Sequence, residues 1–291
     1  MEVFNNKTDS FAKILCGRTL AYQQQLQISI DVQEHIAKGH SAPCLAVILV
    51  GDNPASSVYV AAKQKACAKV GIISNVLRFS QNVSQDELIL EILRLNKDFY
   101  INGVLIQLPL PQGLDSNSLL EALDPKKDVD GLTPYNLGRL VSNRQNFVPC
   151  TPLGCMDLIN SIFPDVSGKK AVIFGRSLLI GRPMALLLEQ ANATVTIVHS
   201  MSKDIKEFSK AADIAVAAIG RPGFITADYI KPGAVVIDVG ITRVEGKLLG
   251  DVHDSVRGVA GWLTPVPGGV GPMTITKLLH NTVKAAQLIF S

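Results

Sequence analysis

The chain has 291 residues, enough for two domains with substantial cores. With 47% hydrophobic and 18% charged residues it is globular, and a net charge of +3 without a long basic run gives no case for nucleic-acid binding, so any anion must be held locally. Five scattered cysteines (Cys16, Cys44, Cys67, Cys150, Cys155) lack metal-ligand spacing with histidine and read as reduced packing thiols. Residues 1–10 are polar with no signal-peptide core, and no apolar run approaches the ~18 residues of a membrane span, so a cytoplasmic chain with no metal and no membrane partner is expected.

In chain order, residues 22–38 carry Leu26, Ile30 and Ile36 at near-helical spacing and stop at Gly39, which predicts a helix. The continuous apolar run 44–50 predicts a buried strand ended by Gly51-Asp-Asn-Pro54. A helix over 55–70 stopping at Gly71, a strand over 72–79, a helix over 85–97 opened by Ser84, and a strand over 103–107 follow. That βαβαβ order implies parallel strands covered by helices, with functional loops at the strands' carboxyl ends.

Three polar positions stand out in this half. Tyr59 and Lys63 are four apart, one helical turn, so they share a face; a solvated surface pair is the alternative reading. Gln107 ends an otherwise apolar strand, where a buried amide needs partners and where ligands bind. Asp130, in Lys127-Asp-Val-Asp-Gly131, is either a turn residue or a carboxylate pointing inward to grip an amino-heterocycle; the spacing fails the pattern of a Ca²⁺ loop.

The composition changes near residue 148, where the domain boundary is placed. Thr151 and Pro152 predict the start of a helix reaching about 163. The run 171–174 is then a short central strand closed by Gly175, and Gly181-Arg-Pro183 opens a helix over 182–191. Such a turn aims N–H groups and a positive helix end at an anion, so it reads as a dinucleotide pyrophosphate site or as an ordinary strand-to-helix turn; Gly175 and Gly181 do not spell G-x-G-x-x-G. The next strand, 194–198, ends in His199-Ser200. An acid there would select NAD; here none is present and Arg176, His199, Ser200 and Lys203 are nearby, which favours NADP over the alternative of a plain exposed strand end. Strands over 213–219 and 234–239 close at Gly220 and Gly240, and Gly240-Ile241 lies where a nicotinamide or its ribose would cross the sheet edge. A loop with three prolines and three glycines within 264–274 precedes a last helix over 275–288; it lets flat ligands approach the backbone.

Four separated motifs, Ser56-Ser-Val-Tyr-Val-Ala-Ala-Lys63, Gly103-Val-Leu-Ile-Gln-Leu-Pro-Leu110, Lys127-Asp-Val-Asp-Gly131 and Pro267-Gly-Gly-Val-Gly-Pro-Met-Thr-Ile275, closely resemble those of the bifunctional methylenetetrahydrofolate dehydrogenase/methenyltetrahydrofolate cyclohydrolase family, in the same order. The resemblance implies an α/β fold of two domains: a folate-binding βαβ catalytic domain (1–148 plus 275–291) and a Rossmann-type NADP-binding domain (149–274), with the last helix packing back on the first domain. It also implies folate in a cleft between the domains and homodimers paired through the cofactor domain. By motif match, Lys63 is the catalytic lysine, Tyr59 lies along the folate ring system, Gln107 partners the lysine and Asp130 anchors the pterin. Ser56, Gly271 and Pro272 match substrate-binding positions, and Gly175, Arg176, Ser177, Gly181, His199, Ser200, Gly220, Gly240 and Ile241 match cofactor positions.

Overall fold

The computed structural model describes residues 11–288; the polar residues 1–10, on which the absence of a leader was read, lie outside the described residues. Its first half runs β1 (Lys13–Ile14), α1 (Gly17–Ala37), β2 (Cys44–Val50), α2 (Pro54–Val70), β3 (Ile73–Phe79), α3 (Gln85–Lys97), β4 (Gly103–Ile106), α4 (Ser116–Ala122) and α5 (Pro134–Val141). The second half runs α6 (Cys150–Asn160), β5 (Lys170–Phe174), α7 (Gly181–Gln190), β6 (Thr194–Val198), α8 (Ile205–Lys210), β7 (Ile214–Ala217), β8 (Val235–Asp238), β9 (Thr242–Val244), β10 (Lys247–Leu249), β11 (Trp262–Leu263) and α9 (Val270–Leu288).

Contacts divide the chain into two compact units, one of residues 21–153 with 274–288 and the other of residues 11–20 with 154–273. In the first, β2 lies between β3 and β4, all parallel. Every residue of β2 is buried, because both faces of the sheet are covered. Alternate residues go to opposite sides. Leu45, Val47 and Leu49 pack with Ile28 and Val32 of α1, Val60 and Cys67 of α2, and Leu278, Leu279 and Val283 of α9, whereas Ala46, Ile48 and Val50 pack with Leu88, Ile92 and Leu95 of α3 and Leu119 of α4. The last helix is therefore part of the core of the first half of the chain. Because β2 is central and its successors flank it on either side, the crevice where the strand order reverses opens at the carboxyl ends of β2 and β4.

The second unit holds a six-stranded sheet in the order β6-β5-β7-β8-β11-β1, parallel throughout. Taken from β5, that is the doubly wound order 2-1-3-4-5 with β1 added at the edge, and its reversal point lies between β5 and β7. The two-residue strand β1 stands in this sheet, and the hairpin β9-β10 follows β8; both are too short for the periodicity of the sequence to reveal.

Two local expectations are corrected. Thr151 does not cap α6, which begins at Cys150; its hydroxyl instead shares a 3.1 Å hydrogen bond with Thr274. The Pro/Gly-rich segment is not a loop to residue 274, because α9 starts at Val270 and takes Gly271 and Pro272 into its first turn, where a proline costs no helical hydrogen bond.

The Lys127–Gly131 motif joins two helices through its side chains. Lys127 Nζ donates to the carbonyls of Leu95 (2.8 Å) and Asp98 (2.6 Å) at the end of α3. Asp128, 1% exposed, accepts from Leu132 N, Thr133 N and Asn136 Nδ2 at the start of α5. Asp128→Ala should strand those buried donors and lower stability by about 3 kcal/mol, at about 1–3 kcal/mol per unsatisfied group without full additivity. Urea denaturation followed by circular dichroism is the measurement.

Candidate functional site

Helix α2 leaves the carboxyl end of β2 under an Asn53 cap, whose side chain accepts from Ala55 N (2.9 Å) and Ser56 N (3.2 Å), and ends at Gly71 with φ +88°. Its buried face is Ser56, Val60, Lys63, Cys67 and Val70, with half-buried Tyr59 on the border of that face. Lys63 is thus only 9% exposed, and the solvated-pair reading of Tyr59 and Lys63 is excluded for the lysine. Its Nζ donates to Gln107 Oε1 at 2.9 Å. Gln107, one residue past β4, is fixed in turn because its Nε2 donates to the Leu108 carbonyl at 2.7 Å. A buried amine and an oriented amide therefore meet at the reversal point of the smaller sheet.

Asp130 completes the group. It is half-buried, and Cys150 lies against its carboxylate, the Cys150 thiol itself donating to the Val129 carbonyl at 3.3 Å. Gly131 carries φ +71°, and a Cβ there would come within 2.6 Å of the Val148 carbonyl carbon, so only glycine lets this turn close against the segment leading to Cys150. Asn281 of α9 ties the same place from behind, donating to the Val129 carbonyl at 2.8 Å.

The electrostatics follow from burial. Loss of solvent pushes the Lys63 amine below the ordinary lysine range, opposed by the negative charge of Asp130. Burial pushes the Asp130 carboxyl up, opposed by the Lys63 charge. Each supports the ionised form of the other against a common desolvation. Cys150, read from the sequence as a packing thiol, belongs to this group, and its thiol is likewise pushed up by burial and by Asp130. Nothing in its local pattern distinguishes it from Cys155, which is also buried; only its contact with Asp130 does.

In the other unit the cofactor candidates stand at successive carboxyl ends of one parallel sheet: Gly175, Arg176 and Ser177 after β5, His199 and Ser200 after β6, Gly220 after β7, and Gly240 and Ile241 after β8. The five-residue gap between Gly175 and Gly181 has a geometric cause. A Cβ on Gly181 would lie 2.3 Å from the Gly175 carbonyl oxygen, and one on Gly175 would lie 2.4 Å from the Ala218 carbonyl oxygen, so the first turn of α7 rests on the strand end and the strand end on the neighbouring turn. Ser177 Oγ accepts from Ile180 N (3.2 Å) and Gly181 N (3.3 Å), shaping the loop, while Arg176 remains exposed. His199 N donates to Ser202 Oγ at 3.0 Å, and Ser200 and Ile241 face solvent. Gly271 and Pro272 are partly exposed in the first turn of α9. Among the described residues no group of three His, Cys, Asp or Glu side chains is placed to hold a metal ion, and no helix is long and apolar enough to cross a membrane.

Two family profiles match the chain: the catalytic domain of tetrahydrofolate dehydrogenase/cyclohydrolase over residues 15–130, and the NAD(P)-binding domain of the same family over residues 149–290. The bifunctional protein FolD of Bacillus cytotoxicus is 50% identical over 278 residues, covering 95% of this chain and 97% of the relative. Among solved structures, the bifunctional FolD methylenetetrahydrofolate dehydrogenase/cyclohydrolase of Campylobacter jejuni superposes with a TM-score of 0.92 at 44% identity, over 96% of this chain and 99% of that one. The corresponding enzyme of Trypanosoma brucei, solved with NADP and an inhibitor, gives 0.92 at 37% identity, over 96% and 99%.

The charge balance at Lys63 is testable. Its side chain, followed by ¹³Cε resonance, should titrate below 10.5, and Asp130→Asn should move the midpoint lower still, since it removes the charge that favours the ammonium.

Proposed function

Because the chain belongs to the tetrahydrofolate dehydrogenase/cyclohydrolase family, we propose that it is a bifunctional enzyme of one-carbon metabolism: it oxidises 5,10-methylenetetrahydrofolate to the 5,10-methenyl compound with NADP⁺ and hydrolyses that product to 10-formyltetrahydrofolate. In this reading residues 1–148 with 275–291 bind folate and residues 149–274 bind NADP. The observation that carries it is the 2.9 Å contact of the buried Lys63 amine with Gln107, beside Asp130.

The carboxyl edge of the six-stranded sheet fits a phosphorylated dinucleotide. Gly175 and Gly181 bring bare backbone to the start of α7, whose positive end suits a pyrophosphate. Residues 199–203 contain no acid, and Arg176, His199, Ser200 and Lys203 offer donors and positive charge to a 2′-phosphate. Gly220, Gly240 and Ile241 would line the remainder. Bound there, NADP⁺ supplies the hydride acceptor for the oxidation.

The oxidation asks little of the protein beyond holding the reacting rings in contact. Tyr59 lies along the folate rings, Asp130 binds the amino end of the pterin, and Ser56 is a further substrate contact. Hydrolysis needs a proton acceptor. Water adds to the methenyl carbon, one carbon–nitrogen bond of the five-membered ring opens, and the formyl group stays on N10. Lys63, whose proton affinity burial lowers, positions this water and takes its proton, and Gln107 aims the amine. The cationic substrate would drive the amine further toward neutrality. We read the enzyme as a cytoplasmic homodimer paired through the cofactor unit, a reading supported by the edge position of β6 and the exposed Ile197 on it; sedimentation equilibrium tests it.

Mixing the protein with methylenetetrahydrofolate and either NADP⁺ or NAD⁺, and following methenyl absorbance, should show formation and decay with NADP⁺ preferred. Lys63→Met should cut the decay step by about 10²–10⁴-fold, the typical worth of a positioned base, and leave measurable dehydrogenase turnover. Equal loss of both steps with folate still bound contradicts the division of roles.

A further inference from the structure

Two buried carboxylates in the cofactor unit have no part in the chemistry above. Asp238, the last residue of β8, is 4% exposed, and Asp251, just past β10, is fully buried. Neither meets a lysine or arginine side chain in an ion pair among the described residues. Both are satisfied by backbone. Asp251 Oδ2 accepts from Ile219 N (2.7 Å) and Gly220 N (3.0 Å), and its Oδ1 accepts from Arg221 N (2.7 Å). Asp238 Oδ1 accepts from Gly240 N (3.1 Å) and Asp251 N (2.9 Å), and its Oδ2 accepts from Val252 N (3.0 Å).

The arrangement is specific. Three consecutive N–H groups of the turn after β7 converge on one carboxylate, a concave arrangement that an extended strand, with its alternating N–H directions, cannot present. Gly220, at φ +64°, supplies the left-handed step that turns them inward. Glycines also make room for both acids: a Cβ on Gly240 would lie 2.3 Å from Asp251 Cγ, and one on Gly250 would lie 1.9 Å from Asp238 Oδ2. The chain is further sewn here by Gly223 N to the Gly250 carbonyl (3.0 Å) and Ile225 N to the Asp251 carbonyl (2.9 Å). Asp238 N donates to Thr264 Oγ1 at 2.7 Å, which fixes the second acid to the strand beyond.

The turn so held is the one whose Ala218 carbonyl abuts Gly175 and which contains Gly220. Its N–H groups are consumed by Asp251, so it presents no anion cradle of its own, and the pyrophosphate is left to the turn after β5. We propose that Asp251 is a positioning residue for the dinucleotide: by gathering the N–H groups of Ile219, Gly220 and Arg221 it fixes the shape of the β7 edge against which the cofactor lies, and Asp238 holds Asp251 in register. The inference rests on the reading of this unit as the NADP site. Asp251 acts through the backbone and is not itself a cofactor contact.

The test uses the full-length protein. Asparagine at 251 keeps the shape but turns an amide NH₂ toward a backbone N–H, so Asp251→Asn should raise KM for NADP⁺ by about tenfold or more while kcat of the oxidation falls by less than about threefold. Cyclohydrolase turnover of methenyltetrahydrofolate, which uses no dinucleotide, reports whether that sample is folded. A KM for NADP⁺ within about twofold of the parent in a variant that still hydrolyses methenyltetrahydrofolate overturns the proposal, as does a loss confined to kcat. Amide exchange in the unsubstituted protein gives an answer independent of the variant's folding. The N–H groups of Ile219, Gly220 and Arg221 should be protected before any cofactor is added, and exchange at the rate of exposed amides overturns the clamp. Failure of the unsubstituted protein to reduce NADP⁺ would instead remove the functional reading on which the inference stands.

Discussion

An amine that is nine-tenths buried is expensive to keep charged, and the first unit is arranged around that constraint. Desolvation favours the neutral form of Lys63, while Asp130 and Gln107 supply enough charge and hydrogen bonding to keep the group fixed in one place. Neither partner is free to drift. Gln107 is tied to the next carbonyl along the chain, and Asp130 is held by Cys150 and by a turn that only glycine can make. A lysine on the same helix but on its outer face would be an ordinary surface cation, with neither the altered proton affinity nor the fixed position.

The neighbouring Lys127–Gly131 motif shows how sequence economy serves that arrangement. Lys127 stops one helix, Asp128 starts the next, Asp130 faces the amine, and Gly131 lets the chain turn back. Two of its charged side chains are therefore scaffolding, and their burial is what aims the third. The same logic recurs in the other unit, where the carboxylates of Asp238 and Asp251 are consumed by backbone N–H groups.

Much of this was legible from residues alone. The apolar run Cys44–Val50 and the Ser84-capped helix Gln85–Lys97 are where periodicity and capping put them, because both obey a single local rule without competition. The start of α9 was not, since prolines and glycines spell a loop unless one knows that they fall in a helix's first turn. Strands of two or three residues, such as β1 and the β9-β10 hairpin, have no period to detect. Lys63, Gln107 and Asp130 were singled out by their placement among apolar neighbours or their share of a helix face, whereas Cys150, Asp238 and Asp251 were missed because their partners are distant in sequence and, for the two acids, are backbone groups that no side-chain pattern records.

The seat of α7 on bare backbone has a bearing on how this edge can change. With Gly181 lodged against Gly175, both ends of the intervening excursion are pinned, and between them Ser177 Oγ holds the N–H groups of Ile180 and Gly181 at the start of the helix. Arg176, whose side chain is exposed, can then be exchanged while the helix keeps its aim. A methyl group at either glycine, by contrast, would lever the whole first turn outward.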